Sequence, residues 1–169
     1  TTLFRSQLGH LREVISLDAA LCPCALAEYS DEDWEHVASG IDQFGFFADF
    51  HWASQRFPST DDTHLLLVEK EPSREVSSAD VGADFTFIGY DLIDDTTWIS
   101  ALTNCGGFDL AFSGDELTVQ GLLPRFDRAR AVQDALRQHY PEEPHADTSL
   151  YAVWRRETSA SKEHRAKGS

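Results

Sequence analysis

The run Phe85-Thr86-Phe87-Ile88-Gly89-Tyr90-Asp91-Leu92-Ile93 constrains the fold more than any other stretch. It is dense in aromatic and β-branched residues and too short for a typical helix, which predicts a strand. Simple alternation puts Phe85 and Phe87 on one face and Ile88, Tyr90 and Leu92 on the other, with Gly89 interrupting the first set. Both faces carry large apolar groups, so the strand is expected to be central in its sheet and covered at least in part on each side. Asp94-Asp95-Thr96 reads as a turn. Beyond it, residues 97–103, the link Asn104-Cys105-Gly106-Gly107 and a hairpin of 108–112 with 116–120 around Ser113-Gly114-Asp115 predict a meander.

The flanks supply helices. Phe4, Leu8, Leu11 and Ile15 recur at helical spacing, and Pro23 stops that pattern. Ser30 is a good N-cap, Asp31, Glu32 and Asp33 favour the positive end of a helix dipole, and Trp34, Val37, Ile41 and Phe44 share one face up to Gly45. Phe46, Ala48, Phe50 and Trp52 alternate, which predicts a strand over 46–52. Residues 57–62 have turn chemistry, Leu65-Leu66-Leu67-Val68 reads as a strand, and 71–84 reads as an exposed loop. Past the meander, Pro124 opens a helix whose stripe is Phe126, Ala129, Val132 and Leu136 and which runs through His139. Leu150 onward alternates again through Arg156.

A chain of 169 residues, 41% of them hydrophobic, supports one ordinary core. The expectation is a single α+β domain over 1–157, its mainly antiparallel sheet of about five to six strands packed by N-terminal helices and one C-terminal helix. Residues 158–169 are expected to be a flexible tail.

Charge decides which partners are excluded. The 29 carboxylates against 14 Lys and Arg give −15, and the excess is local: from Glu28 to Glu116 there are 20 acidic residues against Arg56, Lys70 and Arg74. Such a chain is repelled by nucleic-acid backbones and anionic membranes and attracted to basic proteins. No apolar run approaches the roughly 18 residues that span a bilayer, and the first residues lack a signal pattern, so a soluble form is expected. If Asp31, Glu32, Asp33 and Glu35 converge with Asp61, Asp62, Asp94 and Asp95, they make a docking surface that speeds encounter with a basic partner, with Trp34 as an aromatic anchor. The expected function is that of an acidic inhibitor or immunity-type protein occluding a toxin or nuclease.

Other chemistry is weaker on the page. Cys22, Cys24 and Cys105 are an odd number and a poor disulfide framework, which favours a reducing cytoplasm. Cys-Pro-Cys plus one distant Cys matches no usual zinc spacing, and no phosphate-binding glycine loop or metalloprotease helix motif occurs, so no metal and no cofactor are expected. A small enzyme or ligand-binding domain is the alternative, with a pocket near Asp91, Asn104 and Cys105 and His51 or His145 as base. A second alternative is a subunit of a larger assembly.

Overall fold

The structure is a computed structural model and describes residues 31–35, 47, 49–56, 65–96, 99–103 and 108–157. In chain order its elements are the helices α1 (Asp31–Glu35) and α2 (Phe50–Arg56), the strands β1 (Leu66–Lys70) and β2 (Phe85–Asp94), the helix α3 (Phe126–His139) and the strand β3 (Thr148–Arg156). Single turns of 3₁₀-helix stand at Ser78–Asp80, Gly114–Glu116 and Pro144–Ala146. The architecture is α+β, with an open antiparallel sheet of three strands among the described residues.

The strand order is β1-β3-β2, so β3 and not the Phe85 run lies in the middle. β3 pairs Trp154 with Leu67 on one side and with Phe87 on the other. The outer edge of β2 is met instead by short pieces of chain. Tyr90 and Leu123 exchange backbone bonds of 2.8 and 2.9 Å, Ala101 N–H donates to Leu92 O at 2.8 Å, and Asp94 N–H donates to Ile99 O at 3.0 Å. The described part of 97–103 thus contributes one bridge, Ile93 to Ser100, and then turns away rather than running on as a meander strand.

Alternation along β2 is reset by a bulge. The register against β3 slips between Phe87 and Gly89, where Ile88 is the extra residue. A bulge moves everything beyond it to the opposite face, so Phe85 and Phe87 share a face with Tyr90 and Leu92 instead of opposing them. Gly89 sits at φ +141° with the Leu122 side chain and the Leu123 carbonyl pressed against it, a close approach that a side chain would prevent.

That face receives α3. Ala129, Val132 and Leu136, each 0% exposed, pack on Tyr90, Leu92, Leu150, Ala152 and Trp154, the face that the helical spacing predicts. Phe126 is half-buried and lies 5.8 Å from the Tyr90 ring. The other face of the sheet gathers Ile93, Leu122, Tyr151 and Val153, with Leu66, Val68 and Ile88 at its margin.

One expected strand and one expected hairpin are overturned. Residues 50–56, overlapping the predicted strand over 46–52, are helical: Asp49 caps the helix by accepting from Trp52 N–H at 3.0 Å, and Ala53 is the residue it buries. Residues 108–120 hold no hairpin. Ser113 and Glu116 form a reciprocal capping box around one 3₁₀ turn, with Phe108, Ala111, Phe112 and Leu117 folded inward. Arg128 then fastens the loop, its guanidinium donating to Glu116 and to Ala111 O.

The 71–84 loop is exposed over much of its length but anchored at Pro72 and Val76, both buried. Its first residue, Glu71, has φ +51°, uncommon for a residue with a side chain. The Glu71 carboxylate accepts from Leu150 N–H at 2.7 Å, from Gln133 Nε2 at 3.1 Å and from Arg130 at 2.5 Å, tying the end of β1 to α3 and β3. Burial alone would raise this carboxyl; the Leu150 amide, Arg130 and Gln133 outweigh it and hold it below the usual 4.5. A depressed folded-state value means stability that is present above the unfolded value and lost as pH falls through the folded one. Urea titrations across the acid range are therefore expected to show a shallower loss of stability below pH ~4.5 for Glu71→Gln than for the parent chain.

Candidate functional site

The end of β2 and the start of β3 hold the densest set of polar groups in the described core. Asp91 and Asp94 are both 0% exposed. Asp91 faces the Tyr151 side of the sheet and accepts from Ser100 Oγ at 2.7 Å and from Leu92 N–H at 2.8 Å. Asp94, opposite Thr148 on the α3 side, accepts from Thr96 N–H at 2.6 Å, the turn-forming bond its position predicts. Its other oxygen lies 3.2 Å from His145 Nδ1.

His145 reaches Asp94 because α3 ends at His139 and the Tyr140 to Glu143 turn leads into the Pro144–Ala146 helical turn. The imidazole is 5% exposed and rests 5.2 Å from the Phe108 ring. With Nδ1 engaged by a carboxylate, Nε2 is the nitrogen left to act, and it is buried without a hydrogen-bond partner, as is Thr148 Oγ1. An oriented imidazole of this kind has the form of a general base or an electrophile's partner. Among the described residues no group of three or more His, Cys, Asp or Glu side chains is placed to hold a metal ion.

Asp95 plays a different part. It accepts from Lys70 Nζ at 2.8 Å and from Ser149 Oγ at 2.6 Å, joining β1 to β3 across the sheet end. Lys70 also lies over the Tyr151 ring, 5.9 Å from its centre, and burial pushes the Tyr151 phenol above its ordinary value. The three carboxylates of the β2 end thus each brace neighbouring chain, and Asp94 is withdrawn from the docking surface expected of it because the sheet and the His145 turn close over it.

The other expected docking residues divide. Asp31, Glu32 and Glu35 are exposed on α1, a helix with no basic residue in its last turn; Asp33 and Trp34 belong to the same helix. Asp61 and Asp62 lie outside the described residues, as do Cys22, Cys24, Asn104 and Cys105. His51 is exposed on α2, where its Nε2 is 2.9 Å from Gln55 Nε2.

Cations inside the fold neutralise part of the acidic middle. Arg130 pairs with Glu71, Arg74 with Asp80, Lys70 with Asp95 and Arg128 with Glu116. The Arg128 fork holds the Glu116 carboxyl below its usual range, and Arg74 does the same for Asp80. Two further arginines are taken up locally, Arg125 by Asp127 and Arg137 by Asp134. Exposed carboxylates that make no ion pair among the described residues include Asp31, Glu32, Glu35, Glu69, Glu75, Asp109 and Asp115, of which Glu69 and Glu75 still feel the nearby charges of Arg74 and Arg125.

The Asp94–His145 contact escaped a reading by spacing, since 51 residues separate the two. The capping box at Ser113 was written in the sequence as Ser-Gly-Asp-Glu and is the signal that distinguishes this loop from a hairpin. No described helix is long and apolar enough to cross a membrane. Comparison with protein-family models, with curated proteins and with solved structures finds no match.

Proposed function

We propose that this chain is an acidic binding protein of the inhibitor or immunity type, which occludes a basic protein partner such as a toxin or nuclease in a reducing cytoplasm. The observation that carries the reading is the charge that remains after internal pairing. The whole chain stands at −15, and α1 presents Asp31, Glu32 and Glu35 to solvent with no basic residue in its last turn. Uncompensated exposed charge acts over a Debye length of about 8 Å at physiological salt, so it guides encounter before contact. Asp33 and Trp34, on the same helix, with Asp61, Asp62 and Asp95, are likewise assigned to contact with the partner. The mechanism is steric and electrostatic occlusion, with no bond made or broken.

The test is the affinity of the purified chain for a basic protein captured from its host, measured by calorimetry at low and high salt. Raising the salt is expected to weaken binding by roughly tenfold or more, and Asp31→Lys combined with Asp33→Lys to do the same at low salt. Binding indifferent to both would remove the electrostatic mechanism.

A second reading is favoured by one specific observation. His145 Nε2 is buried without a partner while Nδ1 is held by Asp94, an arrangement that suits a ligand-binding or enzymatic site on the α3 side of the sheet with His145 as base, Asp91 lying on the other face.

A further inference from the structure

We propose that the edge of β1 which pairs with no strand among the described residues takes an extended, lysine- or arginine-bearing segment of the partner protein as an added antiparallel strand; this names the docking mode of the acidic-binder reading and rests on it. The direction of the backbone groups comes from two bonds. Arg156 N–H donates to Leu65 O at 3.0 Å and Glu71 N–H to Leu150 O at 2.7 Å. In an antiparallel ladder bonded pairs alternate, so Leu65, Leu67, Glu69 and Glu71 aim their N–H and C=O at β3, while Leu66 and Val68 aim theirs away from the sheet. Those outward groups of Leu66 and Val68 meet no hydrogen-bond partner among the described residues.

An open apolar edge is a template for another strand, and natural sheets usually blunt it. Here the blunting is confined to one end, where Glu69 and Lys70 follow Leu66-Leu67-Val68. A second copy of the chain is disfavoured as the occupant, because pairing would bring two bodies of charge −15 together. A basic strand is favoured. Glu69 is exposed and carries no ion pair among the described residues, and the residue placed opposite it would stand about 5 Å away, within reach of a carboxylate–ammonium contact. Main-chain bonds to Leu66 and Val68 give affinity, and Glu69 selects the sign of the guest.

The probe is a short peptide of alternating lysine and valine, compared with the same peptide N-methylated at alternate amides, each titrated into the full chain by calorimetry. Proline is tolerated on an edge strand where the lost N–H points outward, so Val68→Pro is expected to keep its circular dichroism and melting temperature while losing roughly tenfold or more in affinity. Glu69→Lys is expected to lose affinity as well, and the N-methylated peptide to bind neither protein. Hydrogen exchange of the Leu66 and Val68 amides in the unmodified chain is expected to slow when the first peptide is added, a readout that decides the matter even if Val68→Pro does not fold. Equal binding by Val68→Pro and by the N-methylated peptide, sensitive to salt alone, would overturn strand addition and leave the electrostatic reading standing. No binding of the lysine–valine peptide, or a dimer in solution that Val68→Pro dissociates, would overturn it too.

Discussion

Replacing Gly89 by alanine is expected to destabilise the fold by about 3 kcal/mol, combining overpacking with a left-handed backbone that alanine adopts at a cost. A Cβ at this position would lie 2.7 Å from Leu122 Cβ and 2.9 Å from Leu123 O. Neither neighbour has room to retreat. Leu122 and Leu123 are 0% exposed, and the Leu123 backbone is bonded in both directions to Tyr90. Gly82 is the internal comparison, since its φ is +100° but nothing lies within 4 Å of an added Cβ. Gly82→Ala is expected to cost about 1 kcal/mol, the backbone share alone. Urea denaturation of the two variants checks both values, and similar losses would mean that the approach of Leu122 and Leu123 to the bulge contributes little.

The second large effect belongs to Trp154. The side chain is 1% exposed, its ring centre is 5.6 Å from that of Phe87, and its indole N–H donates to Ser77 O at 2.9 Å. Trp154→Ala is expected to cost about 4 kcal/mol through lost burial and the void left between the sheet and the 71–84 loop. Trp154→Phe keeps most of the ring and loses the bond, leaving Ser77 O without it, for roughly 1–2 kcal/mol. Thermal and urea unfolding of the pair separates packing from hydrogen bonding. A Trp154→Phe loss as large as that of Trp154→Ala would put the weight on the bond to the loop.

The parts of the fold that were legible are those where one periodicity stands alone. The Phe126, Ala129, Val132, Leu136 stripe has no competing pattern, and the helix runs Phe126–His139. Leu65 to Val68 and the alternation from Leu150 fall in β1 and β3 within a few residues at their ends. Asp31–Glu35 is helical, as its place in the expected helix implies, while Ser30 and the rest of that helix lie outside the described residues. Phe50 and Trp52 misled because two-residue alternation over a short run is also compatible with a helix, and the deciding bond is a local one from Asp49. The facing of Phe85 and Phe87 departs from simple alternation for a deeper reason. A bulge is set by what presses on the strand, here the chain around Leu122, and that contact joins residues more than thirty positions apart.

The candidate site was legible in composition but not in arrangement. An acidic excess can be counted; which carboxylates are neutralised depends on arginines brought in from α3, as Glu71 and Glu116 illustrate. Asp94 and Asp95 are adjacent in sequence yet part at the strand end, one turning inward to His145 and the other outward to Lys70. Pleating sends neighbours to opposite sides, so adjacency alone says nothing about a shared surface.

The placement of β3 has a consequence for biosynthesis. Both strands that flank it are translated earlier, and neither pairs with the other. While the ribosome is still upstream of Thr148, Leu66–Lys70 and Phe85–Asp94 have emerged without β3, the strand with which both pair, and the Leu66–Arg155 pairing joins positions about half of the 169-residue chain apart. Folding of the sheet is therefore withheld until β3 has been made, and a nascent chain stalled before that point presents two sticky ribbons to whatever chaperone is at hand.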